Sequence, residues 1–250
     1  MHRLELDGRD LAYATWGSGP AEIVMLHDGL GSVRQWRGVP EALHEATGRT
    51  VLAYERAGHG SSLPAPEGAW PADWLHREAE LLAALLEQVA AARPLLVGHS
   101  DGGSISLLTA AAGRPLRGVV ALAAHSYVEQ VCVDQITAMR ADHKRVATSL
   151  ARAHEHPAAI FEAWSGVWTS DAFRPWDIRP DLGDIACPTL VVQGIDDEYG
   201  TPEQAWSTTS AIGAPATCVL LPEVGHLIHH QVPGRVVELV ADFDRSTSDG

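Results

Sequence analysis

Short, mostly apolar runs recur along the chain, and nearly all close in a cluster of Gly, His, Ser or Asp. Glu22–Leu26, Val51–Tyr54, Pro94–Val97, Val119–Ala124, Thr189–Val192 and Cys218–Leu221 do not alternate between apolar and polar. That pattern predicts strands buried on both faces. Leu11–Trp16 alternates loosely and ends in the turn Gly17-Ser18-Gly19-Pro20. Between the runs, Asp73–Ala92 sets Leu75, Leu82, Leu85, Leu86 and Val89 at helical spacing, with Pro94 just beyond. Ser104–Ala112 and Val236–Phe243 also read as helices. The alternation predicts an α/β fold, a mostly parallel sheet flanked by helices. In such sheets sites gather outside the carboxyl ends of the strands, where the Gly, His, Ser and Asp residues stand.

The alternation lapses from His125 to Gly183, then restarts at Cys187-Pro188. This divides the chain into a core of residues 1–124 and 184–250 and a helical cap insertion of 125–183 over the sheet's functional edge. The insertion holds Tyr127, Phe161, Trp164, Trp168, Phe173 and Trp176, 6 of the 15 aromatic residues in about a quarter of the chain. Trp164 and Trp168 are four apart and share a helical face. They are expected to roof an apolar pocket and touch substrate; the plain alternative is a small core of the cap's own. Ser246–Gly250 reads as a frayed tail.

The 250 residues carry 18 basic and 32 acidic side chains, a formal charge of −14. A chain so acidic lacks the basic surface that phosphates or an anionic membrane require. No nucleic-acid or membrane partner is expected; the partner is a small-molecule substrate. Cys132, Cys187 and Cys218 are sparse and odd in number, which excludes a disulfide framework and a CxxC zinc site. The residues around Met1 mix charges without an apolar run, so no leader is expected and a cytoplasmic location fits.

Gly98-His99-Ser100-Asp101-Gly102 is the only G-x-S-x-G in the chain, against about 0.13 occurrences from composition alone. A strand precedes it and a helix follows, the setting of a strained strand-to-helix elbow that exposes a nucleophilic serine. A serine hydroxyl is weak and needs a base. His226, just past the last strand, supplies one, and Asp196, Asp197 and Glu198 supply carboxylates to orient it. His125 ends a strand at the mouth of this site and is a candidate substrate contact, the alternative being a structural hydrogen bond. His99 reads as a packing residue with a satisfied ring. His229 and His230 read as solvent-facing or supporting residues. Gly29-Leu30-Gly31 lacks the third glycine of a dinucleotide loop, since position 34 is Arg. His226-Leu227-Ile228-His229-His230 is not an H-E-x-x-H metal motif. No cofactor and no metal are expected.

With the order Ser…Asp…His and the elbow at Gly98–Gly102, the chain resembles the α/β-hydrolase family over nearly its whole length. The resemblance points to Asp197 as the acid, with Asp196 the alternative, and to His226 after Gly225 as the base. It makes the oxyanion hole from the amides of Asp101 and Gly29. His27-Asp28-Gly29-Leu30-Gly31 departs from the family's His-Gly pattern at Asp28. Two carboxylates, Asp28 and Asp101, therefore stand beside a site that must hold an anion, and both are expected to turn away or be hydrogen-bonded. The same runs, with Gln193–Thr201, look like a bacterial subgroup of the family. Tyr54-Glu55-Arg56-x-Gly58-His59-Gly60-x-Ser62 matches a loop that is usually structural in it. The resemblance implies a serine hydrolase that forms an acyl-enzyme from an ester, a thioester or a carbon–carbon-bonded diketone of a small, moderately hydrophobic substrate. A lyase, cyclase, acyltransferase or perhydrolase on the same fold is the first rival. A receptor-like binding protein with slow turnover is the second.

Overall fold

A computed structural model describes residues 1–248, Ser248 by its backbone alone. In chain order the elements are β1 (His2–Leu6), β2 (Arg9–Trp16), β3 (Ala21–Leu26), α1 (Val39–Thr47), β4 (Val51–Tyr54), α2 (Trp74–Val89), β5 (Ala90–His99), α3 (Asp101–Ala111) and β6 (Gly118–Leu122). Then come α4 (Gln130–Ala141), α5 (His143–Leu150), α6 (Pro157–Trp168), β7 (Thr189–Gly194), α7 (Pro202–Ile212), β8 (Ala216–Leu221), α8 (Ile228–Gln231) and α9 (Pro233–Ser248).

The eight strands form one sheet in the order β1-β2-β4-β3-β5-β6-β7-β8. Both pairs made by β2 are antiparallel and the rest are parallel. The mostly parallel sheet is therefore as expected. The order of β4, β3 and β5 makes β3 central, with its helical connections crossing the faces. One apolar cluster joins the sheet to α2 and α3, the other to α1 and α9. Register aligns the carboxyl ends: Leu26 pairs with Gly98, His99 with Leu122, Leu122 with Val192 and Gly194 with Leu221. The loops after β3, β5, β6, β7 and β8 thus emerge along one edge.

Two expectations are corrected. The helix expected over Asp73–Ala92 ends at Val89, and β5 begins at Ala90, which pairs with Ala21. Pro94 disfavours helix at the residue before it, and the backbone extends before that constraint is reached. The expected frayed tail from Ser246 is helical through Ser248 within α9; residues 249–250 lie outside the described residues. The mixed-charge N-terminus is the edge strand β1, whose residues are mostly exposed. A strand so little buried carries no apolar signal.

Between β6 and β7 the chain forms α4, α5, α6 and an irregular stretch. Ile160, Phe161, Trp164, Val167 and Trp168 of α6 and Phe173 and Trp176 beyond it belong to the same apolar cluster as α2 and α3. The segment has no separate core; its aromatics extend the main one. Among the described residues, no helix is long and apolar enough to cross a membrane.

Candidate active site

Strand β5 ends at His99, and Ser100 turns the chain into α3 with φ 52° and ψ −121°. A side-chain-bearing residue is strained at this angle. The turn is held by the Ser100 amide, which donates to Leu122 O at 2.8 Å. It also requires glycines on either side. A Cβ on Gly98 would lie 2.2 Å from Gly102 O, and one on Gly102 would lie 2.3 Å from Leu26 O. The elbow and the loop after β3 therefore touch backbone to backbone.

His226 is brought to Ser100 by the loop after β8. Its Nε2 lies 3.0 Å from Ser100 Oγ and its Nδ1 2.9 Å from Asp197 Oδ2. Asp197 is fixed in turn. Gln193 Nε2 donates to Oδ2 at 2.6 Å, and the amides of Tyr199 and Gly200 donate to Oδ1 at 2.7 and 3.1 Å. Burial would raise the Asp197 carboxyl, but His226 and the Tyr199 amide hold it below the usual range. Burial opposes protonation of His226, but Asp197 outweighs it and raises the imidazole. Asp196 is exposed and only its backbone joins the site, through Val224 O.

Gly29, Ser100, Asp101 and His226 line one cavity of about 220 Å³. Among the described residues, the Gly29 amide has no acceptor, and that of Asp101 is the first of α3, where no intrahelical acceptor exists. Both carboxylates in question are engaged. Asp28 Oδ1 accepts from the Leu30 amide at 3.1 Å. Its Oδ2 lies 3.4 Å from His99 Nδ1. Burial pushes the Asp28 carboxyl up, but the rings of His99, His229 and His226 prevail and hold it well below the usual range. Asp101 Oδ2 accepts from Trp164 Nε1 at 3.0 Å. Burial, aided by Asp28, raises this carboxyl to about 6 against the opposing pull of Arg56 and the Trp164 N–H.

The cavity also brings together His125, Trp164 and Trp168. The His125 ring lies 5.2 Å from that of Trp168 and 5.9 Å from that of His226. Burial pushes it down to about 3, so it is neutral, and its Nδ1 has no hydrogen-bond partner among the described residues. The remaining apolar wall is Leu30, Cys132, Met139, Leu150, Tyr199 and Leu227. Sequence reading missed Cys132 and Met139, although Cys132, Ile136 and Met139 form an i, i+4, i+7 stripe on α4. It also missed Tyr199, whose ring stacks at a tilt 4.8 Å from His226. His99 packs as read, donating from Nε2 to His226 O at 2.9 Å, but its ring is only half satisfied, since Nδ1 has no hydrogen-bond partner among the described residues. Of its two readings His229 takes the supporting one: it is buried, with its ring 4.7 Å from Trp36 and 4.6 Å from His99. His230 is half-buried and bonds Gln35 O at 2.8 Å.

The chain is similar to known proteins over nearly its full length. It is 28% identical to a 2-succinyl-6-hydroxy-2,4-cyclohexadiene-1-carboxylate synthase of Salmonella paratyphi B, covering 91% of this chain and 95% of that one. It is 26% identical to the serine hydrolase BPHL of Homo sapiens, covering 96% and 85%. Its fold is that of the enol-lactonase from Burkholderia xenovorans LB400, with TM-score 0.73, 24% identity and coverage of 97% and 99%. The sequence profile of the alpha/beta hydrolase family matches residues 23–239. With the sheet order, the elbow and this match in hand, the chain belongs to the alpha/beta hydrolase family of enzymes.

Proposed function

We propose that the protein is a serine hydrolase in which Ser100, His226 and Asp197 act together on a small carboxylic ester or a related acyl compound. One observation carries this reading: a single imidazole, His226, bridges Ser100 Oγ and the Asp197 carboxylate at the floor of a cavity. Asp197 accepts from Nδ1–H and so leaves Nε2 unprotonated toward the serine. Ser100 Oγ then attacks the carbonyl carbon while Nε2 takes its proton. The tetrahedral oxyanion accepts the amide hydrogens of Gly29 and Asp101. His226 returns the proton to the leaving group, and a water activated by the same nitrogen hydrolyses the acyl-enzyme. Residues 125–183 serve as the cap: Trp164, Trp168 and His125 shape the acyl pocket. The unpaired Cys132, Cys187 and Cys218 suit a reducing compartment such as the cytoplasm.

The Salmonella relative favours a second reading, a non-hydrolytic reaction giving a carboxylate product. The lining speaks against it. Among the described residues, no Lys or Arg faces the cavity, while Asp28, Asp101 and Glu198 do. A carboxylate group would enter this field without a partner, at a cost that low dielectric magnifies. An uncharged or cationic ester fits better.

The test is intact mass after treatment with a fluorophosphonate. The wild type should gain one adduct, Ser100→Ala none, and His226→Ala and Asp197→Asn should react more slowly. No adduct on folded wild type would sink the mechanism.

A further inference from the structure

The Arg56-x-Gly58-His59-Gly60 run has no part in the chemistry described so far, yet its side chains converge on the loop that carries Gly29. Arg56 is buried, 1% exposed. Its Nη1 donates to His27 O at 2.6 Å and its Nη2 to Asp28 O at 2.8 Å. The Arg56 amide donates to His27 Nε2 at 3.1 Å, which fixes that ring's hydrogen on Nδ1; Nδ1 donates to Asp28 O at 2.7 Å. His59 Nε2 donates to Gly29 O at 3.0 Å. His154 accepts from the Gly60 amide at 2.9 Å and donates from Nε2 to Leu30 O at 3.0 Å. Every carbonyl from residue 27 to 30 is thus gripped by a side chain.

The Asp28 carbonyl and the Gly29 N–H belong to one peptide unit. In a trans peptide they point in opposite directions. Whatever holds the carbonyl aims the amide. We infer that Arg56 is a positioning residue for acyl transfer: by holding the Asp28 carbonyl, with His27, it orients and polarises the Gly29 N–H that receives the oxyanion. Two physical effects combine. The fork fixes the peptide plane, because two donors of one rigid guanidinium bind successive carbonyls. A buried cation on the carbonyl oxygen also draws electron density from the amide and strengthens its N–H as a donor. The positive charge lies behind the peptide, out of substrate's reach, which explains a basic residue so near a cavity with no basic lining. This role rests on the serine-hydrolase reading.

The experiment compares Arg56→Lys, His27→Gln and His27→Asn with the wild type, all checked for folding by circular dichroism. Each is assayed for kcat and KM on a p-nitrophenyl ester and for inhibition by an aryl trifluoromethyl ketone, which forms a charged hemiketal on Ser100. Arg56→Lys keeps the cation and loses the fork. It should lower kcat and weaken the ketone in parallel, by about 10- to 100-fold, below the 10²–10³ for loss of an oxyanion donor, with KM within about threefold. His27→Gln retains an acceptor for the Arg56 amide and loses the donor to Asp28 O; it should lose in the same direction. His27→Asn retains that donor and should restore most activity, so the role stays testable if Arg56→Lys does not fold. Unchanged kcat and ketone affinity in folded Arg56→Lys, or equal losses in both His27 variants, would overturn the role while wild-type activity stood. A wild type that neither turns over the ester nor takes the ketone on Ser100 would overturn the hydrolase reading and this role with it.

Discussion

The indole N–H of Trp164 meets the carboxylate of Asp101 at 3.0 Å, joining helix α6 to the residue that follows the serine. The bond sits over the loop after β3. A Cβ on Gly29 would lie 2.0 Å from Trp164 Nε1 and 2.5 Å from Asp101 Oδ2. Gly29→Ala should therefore displace the indole or the loop, and we expect kcat/KM to fall at least 10²-fold while the fold survives. Retention of near-wild-type activity would place the oxyanion elsewhere.

Asp101 also sets a pH dependence. Burial raises its carboxyl to about 6 in the folded protein, from the 3.8 of an exposed aspartate. Between those values the folded state binds the proton and the unfolded state does not. Its contribution to stability therefore falls as pH rises from about 4 to about 6 and is flat above. Asp101→Asn keeps an acceptor for Trp164 and has no charge to bury. We expect the variant's stability relative to wild type to rise across that window in urea titrations. A constant difference would show that Asp101 does not titrate there.

In Asp197→Asn the single amide oxygen stays with the Tyr199 and Gly200 N–H groups, the NH2 turns to His226 Nδ1, and the wrong tautomer then faces Ser100. We expect kcat to fall about 10³- to 10⁴-fold. Asp197 raises the His226 imidazole, and His226 must be neutral to act as base. Activity should rise with pH through its titration, and the acidic limb should move to lower pH in the variant. A limb that stayed in place would assign it to another group.

The acidic lining predicts discrimination by charge. A neutral butyrate ester should exceed the matching hemisuccinate in kcat/KM by about 10-fold or more, and Glu198→Gln should narrow the gap. Equal rates would remove electrostatics from the specificity of this cavity.

Trp168 is 1% exposed and packs on Phe173 at 4.9 Å and Trp176 at 6.2 Å between ring centres. Trp168→Ala should cost about 3–5 kcal/mol and lower Tm by roughly 10 °C. A loss below about 1 kcal/mol would mean that α6 moves independently of the main core.

What could be read from the amino acids follows from where each residue lies. Strands β3, β5 and β7 are covered on both faces, so their apolar runs are unbroken and visible. Ser100 was legible because an elbow needs glycines close by, and those glycines leave a pattern. Strand β1 left none, being an exposed edge. Asp197 was separated from Asp196 only by family resemblance; in space one is buried against His226 and the other faces solvent. Tyr199 and Met139 meet across the cavity, Oη to Sδ at 3.1 Å, from elements 60 residues apart. Such a meeting depends on how α4 packs, which local periodicity does not encode. Arg56 was seen in its motif, but its grip on the Asp28 carbonyl exists only once β4 lies beside β3.

Gly102 sits so close to the Leu26 and His27 carbonyls that no side chain fits between them. The elbow and the loop after β3 therefore meet backbone to backbone, and a side chain at Gly102 would displace one or both. Cys132 and Met139 of α4 and Leu150 of α5 line the cavity from elsewhere in the fold. Substitutions at those three positions change the cavity wall without touching the residues that join the elbow to the loop after β3.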